Sequence, residues 1–340
     1  MIRKFFSMFK RSISIEFTDP EGEQFCYPLS NNTSVLDSLL DQGHSIPHSC
    51  KAGVCQSCIM KCANPSHLPQ ASQRGLGSAE RELGYFLSCC CKPNKHLNIT
   101  CAENKSALYS ARVLSKTFVS DEIILLKVEA PFGFKGGQFC NLYKSDELSR
   151  SYSIASSDND RELEFHIKRL EQGQFSGWAA DSLEPGDEIQ LQGPFGECFY
   201  IDNDALNKRP ILLCGIGTGL APLIGVIRTA IKNRHASDIT LIIGAKNGDS
   251  FYLEKELLAI RETYPTLKIY WLANEPGERP PEHLQIADIY DFVKIHVSDL
   301  ESHTVYLCGA PSFVQRMKKQ CYLGGASLNH IFSDIFQPAK

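Results

Sequence analysis

Apolar and polar residues alternate with a period of two near the start of the chain, and further along the apolar positions gather into longer runs divided by amphipathic stretches. Residues 12–17 alternate as a strand, residues 19–22 turn the chain, and residues 24–27 return as a hairpin partner. Thr33 or Ser34 caps a helix reaching Gln42, with Val35, Leu36, Leu39 and Leu40 on its buried side and Gly43 ending it. A short helix at 78–83, an extended segment at 85–89 and a strand at 96–101 complete a small α+β unit spanning 12–105. From 106 to 207 the pattern predicts six short strands, at 110–119, 122–128, 137–142, 151–155, 163–168 and 187–191. Pro131, Gly136, Gly173, Pro185 and Gly186 punctuate them, which suggests an antiparallel barrel. From 208 to 340 strands (210–214, 239–244, 268–272, 304–308) alternate with helices (to 232, 253–264, 289–295). That order indicates an open parallel α/β sheet with ligand at the carboxyl ends of its strands.

A chain of 340 residues has room for such a multidomain arrangement, and 43 % hydrophobic with 22 % charged residues is the content of a soluble globular protein. The net charge of −4 gives no argument for nucleic acid as a partner. The longest apolar run, 211–227, is broken by Gly215, Gly217, Gly219 and Pro222, which disqualifies it as a membrane span. Residues 1–11 interleave Arg3, Lys4, Lys10 and Arg11 with Phe5, Phe6, Met8 and Phe9; they read as a frayed basic tail, with contact to a membrane surface as the alternative.

Fourteen cysteines change the picture through their clustering, which suggests metal rather than disulfides and a reducing, cytoplasmic compartment. Cys50, Cys55 and Cys58 stand at x4 and x2 spacing, with Cys89, Cys90 and Cys91 about thirty residues on; this is the plant-type arrangement for a 2Fe–2S cluster. Gly53 permits the tight loop. Zinc at Cys55 and Cys58 is the rival, but a structural zinc site would more naturally offer a second paired motif. If the segment after Leu87 is extended, neighbouring side chains point to opposite faces, which disfavours Cys90 and leaves Cys89 or Cys91 as fourth ligand. Cys62 and Cys101 read as buried apolar residues, and His44, His48 and His67 as solvated side chains rather than ligands.

Two further constellations carry chemistry. Arg150, Ser151, Tyr152 and Ser153 sit on a strand, so Arg150 and Tyr152 share a face. Gly173 to Ser176 then opens a helix whose free N–H groups can receive a phosphate. Gly215, Gly217, Thr218 and Gly219, followed by Pro222, form a glycine turn after a buried strand, though not with the usual dinucleotide spacing.

Taken together these residues resemble the ferredoxin–NADP reductase family in its ferredoxin-fused form, as in the reductase components of phenol, naphthalene and methane oxygenases and of deoxysugar dehydration. The resemblance rests on RxYS at 150–153, GxxS at 173–176, GxGTGxAP at 215–222, and CGxP at Cys308, Gly309 and Pro311, and on an acid-x-aromatic element at Asp334 and Phe336. It implies a ferredoxin-like β-grasp 2Fe–2S domain at 12–105, an FAD-binding β-barrel at 106–207 and an NAD(P)-binding α/β domain at 208–340. It makes Cys89 the fourth cluster ligand. Arg150 then holds the FAD pyrophosphate, with His166 and Lys168 along the phosphates and Gly173 and Ser176 receiving one. Tyr152 packs on the flavin, Ser153 lies near its N5, and Phe336 either covers the ring or is an ordinary apolar strand residue. Gly215, Gly217, Thr218, Gly219, Cys308 and Gly309 take the nicotinamide nucleotide, with Ser153 and Cys308 at the reacting centre. Lys246 stands where many relatives have Arg, and one cation there leans the donor to NADH over NADPH. The implied protein is a monomeric NAD(P)H-dependent oxidoreductase delivering electrons to a terminal oxygenase or another electron-accepting protein. A reductase of a small-molecule acceptor and a non-catalytic redox-sensing subunit are the alternatives.

Overall fold

A computed structural model of the protein describes residues 13–29, 32–102, 107–145, 148–158, 160–203 and 205–336. The basic tail at 1–11, and with it the membrane-surface reading, lies outside the described residues. The chain divides into two compact units, Met1–Ala107 and Leu108–Lys340.

In the first unit β1 (Ile13–Thr18) and β2 (Gln24–Leu29) form the hairpin, and α1 (Val35–Asp41) follows. Ser34 caps α1, its hydroxyl oxygen accepting from Asp37 N at 3.1 Å, which supplies one of the helix's orphan donors with a partner. β3 (Ile59–Cys62), α2 (Ser78–Glu82), β4 (Tyr85–Leu87) and β5 (Leu97–Cys101) complete the unit. The sheet order is β2-β1-β5-β3-β4, with β1 and β5 parallel and the other pairs antiparallel. Ile15, Phe17, Phe86, Leu97 and Ile99 are buried against Leu36 and Leu39 of α1, so the period-two pattern of β1 puts its apolar face inward. This is the β-grasp arrangement.

The second unit begins with six antiparallel strands: β6 (Tyr109–Phe118), β7 (Ile123–Glu129), β8 (Phe139–Ser145), β9 (Leu148–Ser153), β10 (Glu162–Lys168) and, after α3 (Gln174–Asp181), β11 (Glu188–Phe195). Their order is β10-β7-β6-β11-β8-β9, and a bridge between Ile154 and Phe165 draws the two edges together into a barrel.

The remainder alternates as β12 (Ile211–Ile216), α4 (Leu220–Lys232), β13 (Ile239–Asn247), α5 (Glu254–Thr263), β14 (Leu267–Glu275), β15 (Leu284–Ile286), α6 (Ile289–His296), β16 (Thr304–Gly309), α7 (Pro311–Leu323) and β17 (Ile331–Ile335). Every pair in the sheet β15-β14-β13-β12-β16-β17 is parallel. Along β12, Ile211 and Leu213 join one core, while Leu212 and Cys214 join the core on the opposite face. A strand covered on both faces reads as an unbroken apolar run, and β12 does. The chain leaves β12 toward β13 on one side and returns with β16 on the other, which makes the carboxyl end of β12 the switch point where a ligand crevice opens.

Barrel and parallel sheet meet at a polar seam. Arg228 on α4 donates to Ala155 O (2.8 Å) and Glu164 Oε1 (2.9 Å), and pairs with Glu256. Thr229 and Lys232, one and four residues on, reach Asp158 and Asp160.

Candidate functional site

The thiols of the first unit are placed by the loop between α1 and β3. The backbone N–H groups of Ala52, Val54 and Cys55 point at Cys50 Sγ from 3.3, 3.5 and 3.4 Å. The hydrogen bond from the Cys55 thiol and these N–H groups pull the Cys50 thiol down to about 5 against its burial. Gly53 has φ +76°, a conformation that favours glycine, and a Cβ there would lie 2.6 Å from Cys90 Sγ. Ser88 fastens the distant segment to this loop: its N–H and hydroxyl both donate to Cys58 O, at 3.1 and 2.8 Å. Cys58 and Cys89 are thereby brought thiol to thiol, and the Cys58 thiol is lowered by that contact.

The thiols therefore fall into two pairs, Cys50 with Cys55 and Cys58 with Cys89. Among the described residues no three His, Cys, Asp or Glu side chains converge as a single ion requires. Two thiol pairs in a cradle of N–H donors fit two irons bridged by sulfide better than one zinc. The segment after Leu87 is not extended. Ser88–Cys90 is a 3₁₀ turn, which keeps Cys89 and Cys90 on neighbouring directions, with their sulfurs 3.7 Å apart. Cys91 instead enters the core, where burial pushes its thiol up to about 12. Cys62 is buried as expected, whereas Cys101 is only partly so. The three histidines remain partly exposed, each with one ring nitrogen on protein: His44 with Tyr27 Oη (2.8 Å), His48 with Ile46 O (2.8 Å) and His67 with His96 O (2.8 Å).

In the second unit the crevice is built by backbone proximity. Gly217–Gly219 forms a short turn between β12 and α4 that includes Thr218, and Gly217 faces open space. A Cβ on Gly219 would lie 2.3 Å from Cys308 O, so the turn presses directly on β16. Gly215 pairs with Cys308 in register, and Gly309 follows at the strand's end. Cys308 is fully buried, its sulfur 3.5 Å from Cys198 Sγ. Burial raises the thiol well above its ordinary value.

Across from Cys308 in β17 stands Asp334, whose Oδ2 accepts from Ser153 Oγ at 2.6 Å. Burial lifts the Asp334 carboxyl to about 6 although the serine hydrogen bond opposes the rise. A barrel serine, a partly buried carboxyl and a buried thiol thus share one place. Asp334 had no assigned role in the sequence reading beyond its motif. Its distance from Ser153, 181 residues, explains why spacing could not find the pair. Phe336 is half-buried beside Gly309, donating its N–H to Gly309 O at 2.8 Å.

On the barrel, Arg150 is half-buried with Nη1 on Ser149 O (2.7 Å), and the Tyr152 ring stands 5.5 Å from that of Phe175. Gly173 caps α3, and Ser176 Oγ accepts from Leu170 N (3.1 Å). The structure turns the two remaining barrel residues elsewhere. His166 is buried in the seam, Nδ1 on Tyr252 Oη (2.9 Å) and Nε2 on Glu164 Oε1 (3.2 Å), so both ring nitrogens are engaged by protein. Lys168 pairs with Glu122 (2.9 Å) at the surface.

Comparison with known proteins finds three family matches along the chain. Residues 18–94 match the 2Fe-2S iron-sulfur cluster binding domain, residues 110–200 the oxidoreductase FAD-binding domain, and residues 212–319 the oxidoreductase NAD-binding domain. The chain is 27% identical over 320 residues to the naphthalene 1,2-dioxygenase system ferredoxin–NAD(P)+ reductase component of Pseudomonas putida, covering 92% of this chain and 95% of that one. It is 28% identical over 304 residues to the phenol hydroxylase P5 protein of Acinetobacter pittii, covering 84% of each. A crystal structure of an Amycolatopsis cytochrome P450 reductase, 24% identical, shares the fold with a TM-score of 0.66 over 97% of this chain and 100% of that one. The thiol-bearing β-grasp unit, the barrel and the parallel sheet follow one another here as those three families do, and the chain belongs to the ferredoxin-fused NAD(P)H-dependent reductases, which use FAD and a 2Fe–2S cluster.

Proposed function

We propose that the chain is the NADH-oxidising reductase of an oxygenase system, a cytoplasmic monomer that supplies single electrons to a terminal oxygenase component. The observation that carries the reading is the convergence of Ser153, Asp334 and Cys308 at the carboxyl end of β16. A group of that kind suits hydride chemistry beside a nicotinamide and needs no side-chain nucleophile. The oxygenase partner rests on relatives whose names place them in the naphthalene 1,2-dioxygenase and phenol hydroxylase systems. Among the described residues no helix is long and apolar enough to cross a membrane.

When bound, FAD accepts an electron pair as hydride and releases electrons singly, and a 2Fe–2S cluster carries one at a time. The chain's own residues set the conditions. Cys50, Cys55, Cys58 and Cys89 hold the cluster within the 12–105 domain. In the barrel, 106–207, Arg150 binds the FAD pyrophosphate with the α3 N-terminus at Gly173 and Ser176, and Tyr152 packs against the flavin. In the 208–340 domain the Gly215–Gly219 turn and Gly309 admit the dinucleotide where no Cβ blocks its approach. Cys308 lies beside the nicotinamide, and Phe336 shields the flavin. Asp334 Oδ2 orients the Ser153 hydroxyl, and a carboxyl near 6 can hold or release a proton at that atom close to neutral pH. His166 positions rather than binds, fixing the barrel to Tyr252.

The donor preference follows from the end of β13. Lys246 is exposed there, and the Asp249 carboxylate, held by the N–H groups of Glu278 (2.8 Å) and Arg279 (2.6 Å), would oppose a 2′-phosphate. Absorption and EPR spectra of the purified protein before and after NADH or NADPH test the reading. NADH should bleach the flavin and elicit the signal of a reduced 2Fe–2S centre at lower concentration than NADPH does. Adding a purified terminal oxygenase should then restore the oxidised spectrum; a reduced cluster that the oxygenase cannot discharge would point to a small-molecule acceptor.

A further inference from the structure

A fifth thiol stands in the cluster pocket. Cys90 is half-exposed, its sulfur 3.7 Å from Cys89 Sγ. It lies against the ligand loop from the other side as well, since a Cβ on Gly53, between Cys50 and Cys55, would come within 2.6 Å of Cys90 Sγ. The turn that makes this possible is short and held. Ser88 is buried and fastened twice to Cys58 O, and Cys91 N–H donates to Ser88 O at 3.3 Å. Cys91 takes no part, being sealed in the core with its carbonyl accepting from Val35 N at 2.9 Å. Two adjacent thiols on one turn, one beside Cys58 and the other over Gly53, give the pocket one sulfur more than a 2Fe–2S cluster uses.

We propose that Cys90 is a reserve ligand, able to take the iron position of Cys89 by thiolate exchange or in a chain that lacks Cys89; the inference rests on Cys89 as the resident fourth ligand. The exchange needs no redox partner. The Cys89 sulfur–iron bond breaks, the Cys90 sulfur–iron bond forms, and the proton of the Cys90 thiol passes to the departing Cys89 sulfur or to water. A small backbone movement suffices, because the two sulfurs are already in van der Waals contact and the turn is anchored at Ser88 rather than at either cysteine.

The test uses the full-length protein with Cys89→Ala, Cys90→Ala, Cys91→Ala and the Cys89→Ala pairs with each of the other two; alanine offers iron no oxygen in place of sulfur. Iron and acid-labile sulfide content, the visible spectrum and the EPR spectrum after dithionite report the cluster. Bound flavin absorption reports that the second unit has folded. Cys89→Ala should keep iron and sulfide with shifted absorption and EPR features, Cys90→Ala should keep an unshifted spectrum, and Cys89→Ala/Cys90→Ala should lose the cluster. Loss of the cluster in Cys89→Ala alone, with flavin retained, overturns the reserve role and leaves Cys89 as ligand. An unshifted spectrum in Cys89→Ala with loss in Cys90→Ala overturns the assignment of Cys89 itself. Loss in Cys89→Ala/Cys91→Ala but not in Cys89→Ala/Cys90→Ala moves the reserve role to Cys91 and also overturns the proposal.

Discussion

The two units build their chemical centres in opposite ways. In the β-grasp unit three thiols come from one nine-residue loop, Cys50 to Cys58, and a single fastening at Ser88 brings the fourth. In the larger unit nothing is local. Ser153 and Asp334 are separated by 181 residues, Cys198 and Cys308 by 110, and the packing of the barrel against the parallel sheet brings them together. A loop-built centre depends on a few backbone N–H groups and can be read from spacing. A centre built by convergence inherits the stability of the whole fold around it and is sensitive to changes far from the chemistry.

The largest effect is expected where the loop is cut. Cys50→Ala should abolish the cluster spectrum and lower NADH-dependent cytochrome c reduction by at least about 10²-fold, since even outer-shell changes at metal sites cost 10–100-fold. Ferricyanide reduction, which can draw on the flavin directly, should persist; a parallel loss of both would break the contrast between the units.

Next comes the seam. Burial would push the Glu164 carboxyl up, but the His166 hydrogen bond and the Arg228 charge bring it down to about 2. A depressed carboxylate stabilises the fold above its ordinary value of 4.5, and that contribution, about 3 kcal/mol, is lost as pH falls toward 2. His166, kept neutral by burial, adds to the loss once pH drops below its ordinary 6.5. Arg228→Gln should cost the larger unit about 3 kcal/mol at neutral pH, read by thermal unfolding, with the iron–sulfur unit unchanged.

A comparable kinetic effect is expected at the convergent centre. Asp334→Asn should lower NADH oxidation by about 10²-fold and remove a pH dependence centred near 6, while leaving flavin and iron content intact. An unchanged pH profile would detach Asp334 from the chemistry. The smallest effect belongs to Lys168. Its pair with Glu122 is exposed, so Lys168→Ala should change stability by less than about 1 kcal/mol and leave FAD affinity nearly unaltered, as equilibrium dialysis would show.

The same contrast explains what the sequence could reveal. The x4 and x2 thiol spacing, the barrel strands punctuated by glycine and proline, and the alternation after residue 208 are local patterns, and each led to its architecture. The extended segment expected after Leu87 is wound by the fold into a 3₁₀ turn, so the period-two rule does not apply to Cys89, Cys90 and Cys91. The family resemblance implies His166 and Lys168 on the phosphates, but on β10 they find other partners. The competing partners, Tyr252 and Glu122, are 86 and 46 positions away and invisible to a local reading. Helix α7 was missed although its signals were present: Pro311 at its first position, then Phe313, Val314, Met317 and Cys321 along one buried face.

Arg228 has one more consequence. By joining Ala155, Glu164 and Glu256, it ties the barrel to the parallel sheet within one compact unit, and the two are expected to unfold together. Whatever ligand fills one half then protects the other: FAD at about a hundred times its dissociation constant adds roughly 2.7 kcal/mol to both. Flavin starvation would thus expose the nicotinamide half to proteolysis before any pyridine nucleotide runs short.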